Sequence, residues 1–420
     1  MNTDFIYFLY ISFYKILMDC KEIPTDCKEE INWADEADNE ISNFEGVKFD
    51  EMGLKEPLLR GIYGYGFENP STIQQQGIIP IIKGIDIIAQ SQSGTGKTGT
   101  FTIGILQKID ESINFPQAII LTPTRELAYQ INSVVQCMSI YMNIKSDAFI
   151  GGTRVWNNIK SIKNGVQIIV GTPGRIIDLI ERLALRTDKI KILCLDEADE
   201  MLSHGFYEKV KNIVKSMTSK TQIILFSATL PRECLDITHH FMNNPVQILI
   251  KKEELTLMGI NQFYVNCELD KYKFDVLKDL YQDFSIGQAV IFCKSKNMVD
   301  WLVDQFEKED FTVGKTHGGI SATERINIMK EFRTGGTRIL VTTDLLSRGI
   351  DVQQVSMVIN YDLPREKETY IHRIGRSGRF GRKGVAINLI TPHNFRYLKA
   401  IERFYDTEIK PLPKNLQKLI

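Results

Sequence analysis

Short apolar runs alternate with longer stretches of helical period along most of the chain. Ile85 to Gln90, Ala118 to Leu121, Val166 to Val170, Ile192 to Leu195 and Ile223 to Phe226 predict buried parallel strands joined by crossover helices. Turn signals at Asn243, Asn244 and Pro245 and the charged stretch Lys251 to Glu254 interrupt the pattern, which places a linker at 249–258. A second series follows at Ala289 to Phe292, Thr312 to Lys315, Arg338 to Thr342, Met357 to Asn360 and Val385 to Ile390. The halves repeat one α/β architecture without obvious sequence repetition. Ligands of open α/β sheets sit beyond the carboxyl ends of the strands, so chemistry is expected directly after these runs.

Length agrees with two units. At 420 residues the chain exceeds the ~250–300 at which a single core usually stops growing, predicting domains at 49–248 and 259–420 behind an extension at 1–48. Between Asp19 and Glu45 ten acidic residues face two lysines, a composition that favours a solvated tail. The aromatic, apolar stretch Phe5 to Leu17 is shorter than the ~20 residues of a membrane span. It has neither a basic leading region nor a small-residue cleavage site, so neither an anchor nor a leader is expected. Basic and acidic residues number 51 and 52, without the basic excess of many nucleic-acid binders, which leaves room only for a site of few local contacts. Seven scattered cysteines, of which Cys20 and Cys27 are only loosely paired, support neither a disulfide framework nor a zinc site.

Chemistry enters with Ala89-Gln-Ser-Gln-Ser-Gly-Thr-Gly-Lys-Thr98, which follows a buried strand and opens a helix. Gly94 and Gly96 let backbone N–H groups turn toward phosphate oxygens, Lys97 would neutralise the β and γ phosphates, and Thr98 would coordinate Mg²⁺. Ser91 stands where the general pattern has its first glycine. A second motif, Asp196-Glu-Ala-Asp199, ends another apolar strand. Alone it reads as a solvated acidic helix face; after a phosphate loop it supplies Asp196 for Mg²⁺ and Glu197 to orient and deprotonate a water.

With these motifs the chain resembles the DEAD-box RNA helicases, in particular the translation initiation factor 4A family with its nuclear siblings. The likeness runs from about Phe49 to Ile420 through Gly66-Phe-Glu-Asn-Pro-Ser-Thr-Ile-Gln74, Pro123-Thr-Arg-Glu-Leu-Ala128, Gly151-Gly152, Thr172-Pro-Gly-Arg175, Ser227-Ala-Thr229, Ser347-Arg-Gly-Ile-Asp351 and His372-Arg-Ile-Gly-Arg-Ser-Gly-Arg379. The resemblance implies two RecA-like domains, each a mostly parallel sheet flanked by helices, joined by a short linker. It also implies ATP and Mg²⁺ held at Ser93, Gly94, Thr95, Gly96, Lys97, Thr98 and Gly99. Gln74 would read adenine through its amide, Phe49 would stack on the base, and Asp351 would accept from the ribose hydroxyls. From the residues alone, Gln74 reads as a helix cap and Phe49 as core. Arg376 and Arg379 would reach the γ phosphate from the second domain as arginine fingers, while Ser227, Thr229 and His372 would couple the domains.

RNA is expected across both domains opposite the nucleotide, held through phosphate and 2′-hydroxyl groups with little sequence preference. By resemblance its contacts are Pro123, Thr124, Arg125, Gly151, Gly152, Thr172, Pro173, Gly174 and Arg175 in the first domain, and Gly318, Arg325, Thr343 and Asp344 in the second. Three positions depart from the family: Gly319 replaces Asp, Ala322 replaces Gln and Ser347 replaces Ala, changes expected to alter RNA affinity and spare catalysis. The family implies a monomer without membrane or DNA partners. Its role would be unwinding messenger leaders in the cytoplasm with initiation-factor scaffolds, or clamping RNA within a nuclear ribonucleoprotein such as an exon-junction complex, or ribosomal RNA processing.

Overall fold

The strands obey the alternation read from the sequence, and both faces of each sheet are covered. The computed structural model describes residues 46–92, 94–202, 205–231, 234, 235, 238, 241–249, 260–283, 287–344, 355–377 and 384–413. The first sheet contains β1 (Ile87–Gln90), β2 (Ala118–Leu121), β3 (Ser146–Phe149), β4 (Ile168–Gly171), β5 (Ile192–Asp196), β6 (Gln222–Ser227) and β7 (Val246–Ile248) in the order β3-β4-β2-β5-β6-β1-β7. The second contains β8 (Ile260–Asn266), β9 (Ala289–Phe292), β10 (Val313–Thr316), β11 (Ile339–Thr342), β12 (Met357–Asn360), β13 (Gly384–Ile390) and β14 (Lys410–Pro411) in the order β10-β11-β9-β12-β13-β8-β14. Every pairing is parallel, and the second order repeats the first strand for strand. These are the tandem RecA-like sheets that the resemblance implied.

Successive residues of a strand point to opposite faces, and here both faces are dry. Ile87 and Ala89 of β1 enter one apolar cluster while Ile88 enters the other, which accounts for the unbroken apolar runs. Strands β3, β7, β8 and β14 were not foreseen. Three of them lie at sheet edges and are partly or wholly exposed, and β8 mixes buried with wetter positions, so none carries a continuous apolar signal. The expected linker at 249–258 falls almost wholly outside the described residues.

The helices that matter below are α1 (Glu56–Tyr65), α2 (Thr72–Lys83), α3 (Lys97–Lys108), α4 (Arg125–Met138), α5 (Val155–Lys163), α6 (Pro173–Glu181), α7 (Ala198–Met201) and α8 (Tyr207–Ser216) in the first half. In the second half they are α9 (Lys273–Asp283), α10 (Lys296–Lys308), α11 (Ala322–Arg333), α12 (Lys367–Ile374) and α13 (Phe395–Tyr405). Several begin on side chains that accept the first free N–H groups: Thr124 from Leu127, Ser295 from Met298 and Ser321 from Glu324. Among the described residues no helix is long and apolar enough to cross a membrane.

Order along the first sheet divides its carboxyl edge in two. The segments after β1, β5 and β6, which are neighbours, carry the phosphate loop, Asp196-Glu-Ala-Asp199 and Ser227-Ala-Thr229. Those after β2, β3 and β4, also neighbours, carry Pro123, Gly151 and Thr172. Helix α1 packs closely on α4, where a Cβ added to Gly61 would sit 1.9 Å from the Met138 carbonyl oxygen. Gly61→Ala is therefore expected to lower stability by about 1–3 kcal/mol through overpacking, read as a lower urea midpoint at unchanged slope.

Candidate functional site

The chain turns sharply out of β1 into α3 because Gly94 and Gly96 adopt φ of 86° and 105°, values that side chains resist. The N–H groups opening α3 thus face the loop, and Ser91 N–H donates to Ser227 O at 3.0 Å, tying the loop to β6. The Ser91 hydroxyl bonds the Thr95 hydroxyl, so the residue that replaces the usual first glycine braces the loop from within. Lys97 Nζ is held by the carbonyls of Ser91 and Gln92, the second at 3.1 Å. Burial pulls its pKa down to about 8 against the carboxylates of Asp196, Glu197 and Asp199. The loop thus gathers donors and a partly desolvated cation that an anion would relieve.

Opposite it, Asp196 is 4% exposed and accepts from Glu197 N–H at 3.0 Å. Burial raises its pKa to about 6, opposed chiefly by Lys97. Glu197 has left-handed backbone angles, φ 54° and ψ 54°, a conformation that costs a residue with a side chain about 1–3 kcal/mol and is retained mostly at working sites. The oxygen donors Thr98 and Asp196 match the hard-ligand chemistry of Mg²⁺. Ser93 lies outside the described residues, as do Asp351 and Arg379.

The base end corrects one expectation. Phe49 is fully buried, with its ring stacked on Phe67 at 6.5 Å and set edge-on to Tyr63 at 6.4 Å, so it is core and offers no face to a base. Half-buried Phe67 lies beside Gly99 and Gln74 and is the aromatic ring at this place. It could have been found as the second residue of Gly66-Phe-Glu-Asn-Pro. Gln74 Oε1 accepts from Ser71 N–H at 2.8 Å, so the helix-capping reading is realised, while its Nε2 faces Gly96 and Gly99.

The second half reaches this cluster through α12. His372, 1% exposed, lies with Nε2 2.8 Å from Asp199 Oδ2, and the Thr229 hydroxyl donates to the same oxygen at 2.6 Å. Asp199 N–H reaches Ser227 Oγ at 3.4 Å. Ser227, Thr229 and His372 therefore meet on Asp199, which the sequence reading quoted in its motif without assigning it a part. Arg376, 5% exposed, donates from Nε to His372 O at 3.0 Å, and its charge acts on both Lys97 and Asp196.

Across the other part of the edge, Arg125 lies against Gly151 and Gly152, with Nη1 2.7 Å from where a Cβ of Gly152 would stand. Gly152 and Gly174 are exposed, Thr124, Arg125, Gly151 and Thr172 half-buried, and Pro123 and Pro173 buried. Lys209 of α8, which sequence reasoning missed, brings its ammonium within 3.9 Å of the same point on Gly174.

Three residues expected on the RNA side are engaged within the chain instead. Arg175 is 7% exposed, and its guanidinium bonds Asn158 Oδ1, Thr153 Oγ1 at 3.0 Å and Thr153 O at 2.8 Å. Arg325, also 7% exposed, pairs with Glu126 of the first half at 3.2 Å. Asp344 receives fully buried Arg373 in two bonds, at 2.6 and 3.0 Å, leaving its carboxylate as an anchor for α12. Gly318 is exposed and Thr343 half-buried. At Gly319 the Asp usual in the family would press on His317, whose ring lies 3.0 Å from that Cβ position. Ala322 opens α11, and Ser347 lies outside the described residues.

The fold and site define a phosphate-loop chain of two RecA-like units with one cluster drawn from both. The family model "DEAD/DEAH box helicase" matches residues 71–237 and "Helicase conserved C-terminal domain" matches 272–381. The chain is 58% identical over 381 residues to the "ATP-dependent RNA helicase eIF4A" of Yarrowia lipolytica, covering 90% of this chain and 96% of that one. It is 57% identical over 372 residues to the protein of that name from Eremothecium gossypii, covering 89% and 94%. S. cerevisiae Dbp5 bound to RNA and ADP BeF3 superposes with a TM-score of 0.83 at 38% identity, over 88% of this chain and 97% of that one. A variant of Dbp5 bound to Nup159, a variant of Gle1, IP6 and ADP gives 0.60 at 36% identity, over 87% and 97%. The chain belongs to the DEAD-box ATP-dependent RNA helicases.

Arg175→Lys separates the internal part from a phosphate contact. An ammonium cannot replace three guanidinium bonds, so the unfolding free energy should fall by about 1–3 kcal/mol in RNA-free protein, measured by urea or thermal unfolding.

Proposed function

We propose that the chain is an RNA-stimulated ATPase that locally separates RNA duplexes, acting in translation initiation in the cytoplasm. The observation that carries the activity is the meeting of His372 and Arg376 with Asp199, Lys97 and Asp196: neither half alone contains the whole cluster. Relatives named as the initiation factor, at 54–58% identity over about nine-tenths of the chain, support the biological role. We assign domains to 49–248 and 259–420 with the linker at 249–258, a division supported by the two sheets.

In this reading the phosphates of ATP lie on the N–H groups opening α3 and against Lys97, and Gln74 with Phe67 borders the base. Thr98 and Asp196 would hold Mg²⁺, which would neutralise charge on the phosphate oxygens. Glu197 orients the attacking water and takes its proton. Arg376 offsets negative charge that grows on the transferred group, and it can do so only while the halves are together. RNA runs along Pro123, Thr124, Arg125, Gly151, Gly152, Thr172, Pro173 and Gly174, reaching Gly318 and Thr343 in the second half. The higher TM-score to RNA-bound Dbp5 than to the Nup159- and Gle1-bound form, at similar identity and coverage, supports a closed placement. ATP and RNA each favour closure and so reinforce one another. Closure bends one strand away from its partner, and hydrolysis reopens the cleft.

Arg376→Ala should reduce RNA-stimulated turnover about 10³-fold or more while changing nucleotide affinity only a few-fold, followed by phosphate release and by titration with a fluorescent nucleotide. Hydrolysis indifferent to both single-stranded RNA and this substitution would exclude the activity. Purification from its own cells with splicing or pre-ribosomal proteins, and without initiation factors, would exclude the translational role.

A further inference from the structure

The loop Gly151-Gly152-Thr153 runs straight into α5, whose sides differ. Asn158 is buried, and Val155, Ile159 and Ile162 pack against the apolar cluster beneath the sheet. Arg175 bonds both Thr153 and Asn158, fixing the loop and the inward face of the helix as one piece. The outward face is thereby determined. It carries Trp156, 63% exposed, with exposed Arg154 before it and exposed Lys160 and Lys163 after it. Lys160 Nζ stands 5.4 Å from the Trp156 ring centroid. From Arg154 to Lys163 there are three basic residues and no acidic one, in a chain whose total charge is near zero.

We propose that Trp156 is a base-stacking platform for single-stranded RNA, extending the track beyond Gly151-Gly152, with Arg154, Lys160 and Lys163 taking the phosphates. The inference rests on the RNA-helicase reading above and adds a contact to it. An exposed indole flanked by cations is the combination that binds unpaired strands: every base has a π face, and every linkage has a negative charge. A lone exposed apolar residue needs no explanation. Here the indole sits one turn from the glycine loop, in a segment whose charged residues are all basic, on a helix held rigidly from behind. Stacking tolerates any base, so the platform strengthens binding without introducing sequence preference.

Labelled single-stranded RNA titrated onto the full-length chain with a non-hydrolysable ATP analogue tests this. Trp156→Ala should weaken binding about 5- to 100-fold, the worth of one stacked base, and raise the RNA concentration that half-saturates ATP hydrolysis. Trp156→Phe keeps a ring and should retain most of the affinity. RNA should quench indole emission in the unmodified chain, and that quenching should be lost in Trp156→Phe. Lys160→Gln should lower the slope of log affinity against log salt by about 0.7. Full affinity in Trp156→Ala beside tight binding by the unmodified chain overturns the platform, leaves the helicase reading standing and directs attention to a protein ligand for this face. Failure of the unmodified chain to bind RNA overturns both.

Discussion

A single carboxylate, that of Asp199, joins the parts of this chain that must act together. It accepts from Thr229 beyond β6, lies against His372 of the second half, and sits two residues from Glu197. Burial makes such a contact selective. A carboxylate out of water needs its partners, so displacing α12 removes the His372 contact from Asp199 and leaves water to replace it. The helix that carries His372 ends at Ile374, two residues before Arg376, and Arg373 between His372 and Arg376 is clamped by Asp344, Asn360 Oδ1 at 3.0 Å and the Asp362 carbonyl at 2.6 Å. The arginine is thus delivered by a rigid element whose docking is sensed at Asp199.

Topology explains why two ligands can be handled at one edge without overlap. Strands β5, β6 and β1 present one group of loops, and β3, β4 and β2 present another; in a twisted parallel sheet these point to different parts of the same rim. The second sheet follows the same plan. Gly318 and Thr343 follow β10 and β11, whereas α12 follows β12 further along. Each sheet thereby ties its two groups of loops to a single packed body.

Much of this is legible in the sequence alone. Central strands show as unbroken apolar runs because both faces are dry, and loop motifs show because glycines and charges at fixed spacing have few other uses. Edge strands β3, β7 and β14 were illegible for the same reason in reverse: water on one side removes the signal. Charge was the least reliable guide. Arg175, Arg325 and Asp344 have the right chemistry for a phosphate track or its border, yet their partners, Thr153 with Asn158, Glu126 and Arg373, are set by tertiary contacts that a linear reading does not hold. Phe49 failed similarly, since an aromatic next to a binding motif can equally be the floor beneath it. Asp199 stood in the quoted motif, but its role depends on His372, 173 residues away.

The pair Arg325–Glu126 is a second bridge between the halves. Stripping water from both ions takes back most of what their attraction returns, so such a contact dictates alignment more than tenacity. A misaligned approach strands two charges, whereas correct seating gains little beyond neutrality. Fidelity of docking and ease of release, properties that usually oppose one another, are therefore compatible in a clasp of this kind, as a molecule that must let go after every turnover requires.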